Sequence, residues 1–187
     1  DYNDVEKYID VVSKRNEFLV ENLIPDFISL SDLKFILTSL VRERVSIKDI
    51  TYIFEKMNDF AEESAKSDLL KKVRLALARR ICAQYANEDG VISLIEISDK
   101  TLDSFMPSFE EDEDFIIKID GEFAEKLARK ISKKSEQLGL DVPKILVPME
   151  LRHLFFTLLS NYMNNIVVLT SGWHWMLSYW KGWLNLH

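Results

Sequence analysis

Apolar residues recur at three- and four-residue spacing through the first half of the chain, and this spacing constrains the fold more than any other feature. A helix that buries one face needs such a stripe, so the pattern predicts successive amphipathic helices. Pro25 ends the first segment, and Ser29 with Asp32, like Ser46 with Asp49, matches the pattern of a helix N-terminus. The four stripes consist of Val5, Ile9, Val12, Leu19 and Leu23, then Leu33, Ile36, Leu37, Leu40 and Val41, then Ile47, Ile50, Ile53, Phe54 and Met57, and finally Leu70, Val73, Leu77 and Ile81.

Short β-branched segments interrupt the helical pattern in the second half. A turn at residues 87–90 precedes Val91–Ile97, which we predict to be a strand. Two helices alternate with three later strands; Gly139 suits the end of the first helix and Pro148 the first turn of the second. The later strands are residues 115–119, 144–147 and 166–169, and the helices carry Phe123, Leu127, Ile131 and Leu138, then Leu151, Leu154, Phe155, Leu158 and Leu159.

These elements predict an α+β, helix-rich fold. Three helices and a strand indicate a winged-helix-like subdomain, and the later alternation indicates a small α/β subdomain with a short sheet. The acidic run from Glu110 to Asp114 marks the boundary between them. All four Trp lie after Ser171, in residues 172–187. We interpret this atypical Trp-rich tail as an altered, non-native end; the alternative is an anchor for a partner or a membrane surface.

Charge and cysteine usage limit the functional classes. The net charge of −7 does not attract nucleic acid through the overall field of the protein. The single Cys, Cys82, excludes an internal disulfide and is expected to be a small buried side chain. We find neither an apolar run of about 18 residues, as a membrane span requires, nor the pattern of a signal peptide.

The residues that enzymes use are scarce. Of the three His, His153 is expected on a helix surface, while His174 and His187 lie in the Trp-rich tail. The spacing of Cys and His does not resemble a zinc site, and we find no glycine-rich loop for a phosphate or central Gly of a calcium loop. The sequence therefore predicts a protein-binding module rather than an enzyme, with no catalytic residue, cofactor or metal.

A winged-helix nucleic-acid-binding domain is the main alternative. Its motivation is the helix–turn–helix outline of residues 33–59 together with basic side chains on the following helix. Asp49 and Asp59 would oppose DNA at the ends of the recognition helix. The basic side chains occupy several helix faces, so pairing with nearby acids is the favoured role. They are Lys71, Lys72, Arg74, Arg79 and Arg80.

Motifs in order along nearly the whole chain resemble the bacterial type III secretion export-gate family, the FHIPEP family, which flagella and virulence injectisomes share. We favour the injectisome branch. The sequence departs from the family pattern after Ser171, where an acidic, strand-forming end is replaced by Gly172 to Trp175. The matching segments are Leu23 to Pro25, Leu33 to Leu40, Arg42 to Asp49, Val73 to Ile81, Lys144 to Pro148, Leu151 with Arg152, and Val167 to Ser171.

The resemblance implies the cytoplasmic part of an inner-membrane protein whose multi-span membrane half lies upstream. Residues 1–28 would be the helical end of one subdomain, 29–109 the ring-building subdomain and 110–171 the α/β C-terminal subdomain. The implied partners are further copies in a nine-membered ring, chaperone–substrate complexes, and the stalk protein with the ATPase complex. Neither nucleic acid nor a cofactor is implied, and the membrane is reached only through the upstream half.

One turn in the ring-building subdomain carries both signs of charge. Arg42, Glu43, Arg44, Lys48 and Asp49 surround it, and complementary patches on opposite sides of a subunit allow head-to-tail contacts to close into a ring. We therefore predict these five residues as the ring interface. The alternative, that they solvate the turn and cap helices, has equal weight for any one residue.

Overall fold

The computed structural model describes residues 1–62, 64–105, 109–111, 117–119, 121–170 and 185–186. The chain forms two compact units, residues 1–84 and 85–187, which are described separately. The α+β, helix-rich fold class is confirmed. None of the helices in the described ranges combines the length and apolar character that crossing a bilayer requires.

The first unit is helical throughout its described elements. The predicted first helix is two helices, because the chain turns after residue 13 and Asn16 is extended, with φ −158°. The helix predicted from the stripe between Leu70 and Ile81 also divides, at Leu77. The helices are α1 (Tyr2–Ser13), α2 (Glu17–Glu21), α3 (Leu30–Arg42), α4 (Ile50–Ala61), α5 (Lys66–Ala76) and α6 (Ala78–Tyr85), the last of which ends one residue into the second unit.

Both predicted helix starts are real, but one is shifted. The Ser29 hydroxyl accepts the Asp32 backbone N–H at 3.1 Å while the Asp32 carboxylate accepts the Ser29 backbone N–H at 3.0 Å, as predicted for α3. At α4 the N-cap is Asp49, whose carboxylate accepts the Tyr52 backbone N–H at 3.2 Å. Placing the start at Ser46 was wrong, because Ser46 lies in the turn before the helix.

The predicted apolar stripes form the core of the first unit. Phe54, Met57 and Leu33 are fully buried there, whereas Val41 is 52% exposed, so the stripe of α3 ends at Leu40. Asn58 on α4 ties α2 to this core: its amide donates to the Leu19 carbonyl at 2.9 Å and accepts from the Asn22 amide at 2.8 Å. The buried members of the stripes are Val5, Val12, Leu19, Leu23, Leu33, Ile36, Leu37, Leu40, Ile50, Ile53, Phe54, Met57, Leu70, Val73, Leu77 and Ile81.

A parallel sheet organises the second unit, and its strands in spatial order are β5 (Val167–Thr170), β4 (Lys144–Val147), β1 (Ile95–Ile97) and β6 (Asn185–Leu186). Strand β4 has the predicted bounds and β5 lies one residue later than predicted, but only the last three residues of Val91–Ile97 form a strand. A separate antiparallel hairpin consists of β2 (Phe109–Glu111) and β3 (Ile117–Ile119).

The strand predicted as a wing belongs to this sheet. β1 lies parallel to β4, with Ile95 opposite Ile145, and the two compact units divide at residue 84. The strand that follows the three helices therefore pairs with a segment far away in the sequence. The division into family subdomains is a different question from compactness and stays a prediction.

Helices α7 (Asp99–Phe105), α8 (Gly121–Gln137) and α9 (Arg152–Leu159) complete the second unit. Side chains of α8 and α9, including Leu127, Ile131 and Phe155, share one buried cluster with Ile95 and Ile145 of the sheet. The predicted stop after α8 is confirmed: Gly139 has φ 63°, and the Leu140 backbone N–H reaches back to the Ser135 carbonyl at 2.9 Å. Pro148 was predicted inside the first turn of α9 but precedes a 3₁₀ turn, Met149–Leu151, that leads into the helix.

Several predictions fall outside the described residues. Asp112 to Asp114 of the acidic run and the first two residues of the strand predicted at 115–119 are among them. The same holds for the four Trp, His174 and His187. Within the Trp-rich tail the structure describes only β6, which lies parallel to β1 with Asn185 opposite Glu96 and Leu186 opposite Ile97.

Candidate functional site

The turn between α3 and α4, residues 42–49, is the candidate site, and it begins at an unusual helix end. Arg44 has φ 58°, the left-handed conformation that normally selects Gly. The Val45 backbone N–H bonds to the Leu40 carbonyl and the Arg44 N–H to the Val41 carbonyl, each at 2.9 Å, which satisfies two carbonyls at the end of α3. Val45 is buried, so the chain is anchored immediately after the turn.

Glu43 does not face outwards as the interface prediction required. Its side chain is buried and forms an ion pair with the Arg74 guanidinium of α5, which is also buried. The two charges satisfy each other inside the helical unit. Of the five predicted interface residues, Glu43 is therefore the one whose side chain is buried within its own unit, and the ring interface stays a prediction.

Asp49 has a local role at the start of α4. The hydrogen bond from the Tyr52 backbone N–H lowers the pKa of Asp49 below its usual value, while partial burial of the carboxylate acts in the opposite direction. Arg80, whose Nη1 lies 2.9 Å from the carboxylate, lowers this pKa as well. Both side chains are about half exposed, at 48% for Asp49 and 51% for Arg80. Solvent screening therefore leaves little net stabilisation in the pair itself, and the capping bond is the main contribution of Asp49.

Like Arg44, Arg42 and Lys48 are exposed cations of the turn. Among the described residues neither forms an ion pair within the 4.0 Å limit of a salt bridge. Lys48 borders a recess of about 180 Å³ whose other walls include Val45, Leu77 and Arg80. This recess, which Asp49 also lines, can receive a side chain from another protein, so Lys48 is well placed to contact one, whereas Arg42 lies outside the lining.

Two contacts at the site were not predicted. The Gln84 amide donates to the Arg44 carbonyl at 3.1 Å, and the Arg80 guanidinium lies over the Tyr52 ring, 4.1 Å from its centroid. Gln84 and Arg44 are 40 residues apart, so no local sequence signal indicates their contact. Pairing of basic side chains with nearby acids was predicted as a general role, and Lys71 with Asp68, Arg74 with Glu43 and Arg80 with Asp49 confirm it.

Cys82 and His153 are the Cys and His side chains that lie within the described residues. Cys82 is buried, and burial raises the pKa of its thiol to about 12, so the nucleophilic thiolate is scarce at neutral pH. His153 is exposed on α9, as predicted. In the part of the chain that the structure describes, no three His, Cys, Asp or Glu side chains converge as metal ligands.

Comparison with known proteins identifies the relatives of the chain. Residues 1–172 match the FHIPEP family. The flagellar biosynthesis protein FlhA of Bacillus subtilis (strain 168) is 28% identical over 171 residues, which cover 89% of this chain and 25% of that protein. The chain thus spans about a quarter of the length of this curated relative.

Solved structures share the fold. The nonameric EPEC SctV-C, seen by cryo-EM, aligns with a TM-score of 0.77 and 22% identity over 91% of this chain and 52% of that one. The Chlamydia pneumoniae CdsV and CdsO protein complex aligns with a TM-score of 0.76 and 19% identity over 91% of this chain and 50% of that one. At these identities the likeness shows a common fold.

Proposed function

The chain belongs to the FHIPEP family, and on that premise we propose that it is part of the cytoplasmic domain of a type III protein-secretion export gate. It assembles with further copies into a nine-membered ring on the cytoplasmic face of the bacterial inner membrane. The observation that carries the proposal is the family match across residues 1–172, together with a fold shared with a nonameric relative. The injectisome branch is part of the same proposal.

In this role the chain binds proteins and does not catalyse a reaction. The proposed partners are chaperone–substrate complexes and the stalk protein with the ATPase complex. The complex formed by CdsV and CdsO supports binding of a second kind of protein by this fold. The poor nucleophilicity of Cys82 and the exposed position of His153 agree with a binding role.

Within the predicted ring interface, we assign the contact between copies to Arg42 and Lys48, with Arg44 beside them. All three are exposed. Exposed ion pairs contribute only about 0–1 kcal/mol each, so a ring built on them needs a high local concentration of subunits. Anchoring by the upstream membrane half implied by the resemblance would supply that concentration.

The test is a double charge reversal, Arg42→Glu with Lys48→Glu, in concentrated protein. We expect fewer rings by electron microscopy and a lower sedimentation coefficient than for the unchanged chain. Reversal of Arg44 should act in the same direction. Asp49 is unsuitable for this test, because its replacement also removes the cap of α4.

The matched control is Lys7→Glu with Lys14→Glu, which changes the net charge equally on α1 and just after it. We expect this control to assemble as the unchanged chain does. Equal assembly of both double variants would show that Arg42 and Lys48 lie outside the interface. Equal loss in both would show that net charge, and not this turn, governs assembly.

A further inference from the structure

One face of α8 concentrates positive charge in an acidic protein. Residues 126–134 contain five basic side chains and no acidic one, although the whole chain has a net charge of −7. Leu127, Ala128 and Ile131 of the same segment are buried in the core of the second unit. The basic side chains therefore lie on the outward side of the helix. We call this set the basic face; its members are Lys126, Arg129, Lys130, Lys133 and Lys134.

The acids of α8 neutralise only the first part of the basic face. Lys126 forms an ion pair with Glu122, and Arg129 with Glu125, each at 2.6 Å and each one turn towards the N-terminus. Across the described parts of the chain, no carboxylate lies within 4.0 Å of the ammonium groups of Lys130, Lys133 and Lys134.

Helix stability does not account for this arrangement. Lys126, Lys130 and Lys134 follow one another at four-residue spacing, at which like charges destabilise a helix. The negative end of the helix dipole favours cations only within the last turn, which here contains Lys134. Lys130 lies before that turn and Lys133 at its edge. A contact with a group outside the helix therefore explains these two cations better than the helix dipole does.

A recess adjoins the basic face and gives it shape. It has a volume of about 390 Å³ and is bordered by Arg129, Lys133 and Tyr162, with Ala128 behind them, and the carboxylates of Glu125 and Glu136 also line it. The Tyr162 hydroxyl donates a hydrogen bond to the Gly121 carbonyl at 3.3 Å, which holds the ring in place, while the side chain remains 45% exposed. An apolar or aromatic group can therefore be seated beside the ammonium group of Lys133, while Arg129 at the same recess is paired with Glu125.

We propose that the basic face and its recess dock an acidic segment of another protein, one that carries an apolar side chain among its carboxylates. The face is about 12 Å long, comparable with a screening length of about 8 Å at physiological salt. A short acidic segment can cover it without approaching the rest of the acidic protein. A bilayer or a DNA duplex extends well beyond it, and the carboxylates around the face, such as Glu136 and Asp141, would repel such a polyanion.

The basic face is a different surface from the predicted ring interface, and docking there does not depend on ring assembly. Its test is the affinity of the chain for a short, fluorescein-labelled synthetic peptide in which Glu alternates with Leu at helical spacing, measured by anisotropy. The variant is Lys130→Gln with Lys133→Gln and Lys134→Gln. We expect about tenfold weaker binding, because three uncompensated cations are lost from the contact. A peptide with Gln in place of Glu should bind weakly to both proteins.

Two control variants separate position from net charge. Lys7→Gln with Lys14→Gln and Lys71→Gln removes the same charge elsewhere and should bind within about twofold of the unchanged chain. The conservative triple replacement of Lys130, Lys133 and Lys134 by Arg should retain binding. Circular dichroism verifies that the helices persist in every variant.

Equal weakening by both Gln triples would overturn the proposal, as would equal affinity for the Glu and Gln peptides. Tighter binding to vesicles of phosphatidylcholine and phosphatidylglycerol, or to duplex DNA, than to the acidic peptide would identify a different class of partner and would also overturn it.

Discussion

Arg44 occupies a backbone conformation that suits Gly, at the point where α3 ends and the candidate turn begins. Side chains with a Cβ are disfavoured there by roughly 1–2 kcal/mol, and β-branched ones are the most crowded. The turn nevertheless forms, because Val45 is buried and two backbone hydrogen bonds close the end of the helix.

At position 44, Gly should therefore stabilise the chain more than a residue with a Cβ does, which is the reverse of the order inside a helix. We expect Arg44→Gly to be at least as stable as the unchanged chain. Its free energy of unfolding should exceed that of Arg44→Val by about 1 kcal/mol or more. Urea denaturation followed by circular dichroism measures the difference. At Arg42, inside α3, Gly should instead cost about 1 kcal/mol. A loss of stability in Arg44→Gly as large as that in Arg42→Gly would contradict the prediction.

The buried pair of Glu43 and Arg74 should be intolerant of single changes. Glu43→Ala leaves the Arg74 guanidinium buried without its partner, and we expect a loss of roughly 3–5 kcal/mol in the free energy of unfolding. Arg74→Ala should cost a similar amount. The double change Glu43→Leu with Arg74→Met should cost less than either, because an apolar pair carries no desolvation penalty. Additive losses in the double-mutant cycle that Glu43→Ala with Arg74→Ala completes would show that the pair is not coupled.

At the scale of elements, the signals that predicted α3, α4 and α8 are local. A Ser or Asp that accepts a backbone N–H three residues ahead, or a Gly just beyond the last turn, acts within a few residues and is visible in the sequence. The break at Leu77 within one continuous apolar stripe has no such signal, because the stripe runs through both α5 and α6.

Helix α4 should depend on the Asp49 carboxylate in a pH-dependent way. Asp49→Ala should cost about 1 kcal/mol at neutral pH, and Asp49→Asn, which keeps an acceptor, should cost less. Because the pKa of Asp49 is lowered in the folded chain, its stabilisation is complete above the ordinary carboxyl pKa and is lost as the pH falls through the folded value. Thermal unfolding of the Ala variant and the unchanged chain should therefore converge below about pH 4. A difference in Tm between the two proteins that stays constant with pH would show that the stabilisation by Asp49 does not come from its charge.

Contacts between residues that are far apart along the chain are the features of this fold that the sequence does not predict. The short run at residues 91–97 indicates a strand but not its neighbour, and the neighbour, β4, lies fifty residues later along the chain. The candidate site shows the same limit. The Asp49 cap follows from local spacing, whereas the burial of Glu43 depends on Arg74, a residue of another helix whose position no local pattern specifies.

At the scale of the whole molecule, Cys82 offers a probe of the helical unit, because it is the only Cys and is buried. Since burial raises the pKa of its thiol to about 12, we expect slow alkylation by iodoacetamide at about pH 8 in the folded chain and fast alkylation in urea, where the thiol titrates normally. Mass spectrometry follows the reaction. Lys7→Cys supplies an exposed thiol in the same unit as a control. Equally rapid labelling of both thiols in the folded state would show that the unit opens freely.

The parallel pairing of β1 with β4 has a consequence during synthesis. When Ile95 leaves the ribosome, its partner Ile145 has not been translated, and at about 5–20 residues per second it follows some seconds later. Until then the nascent segment exposes β-branched side chains and unpaired backbone groups, which is the state in which chains associate wrongly. A truncated message that ends before β4 would leave β1 permanently unpaired, so we expect such products to be degraded or to aggregate while the helical unit ahead of them remains folded.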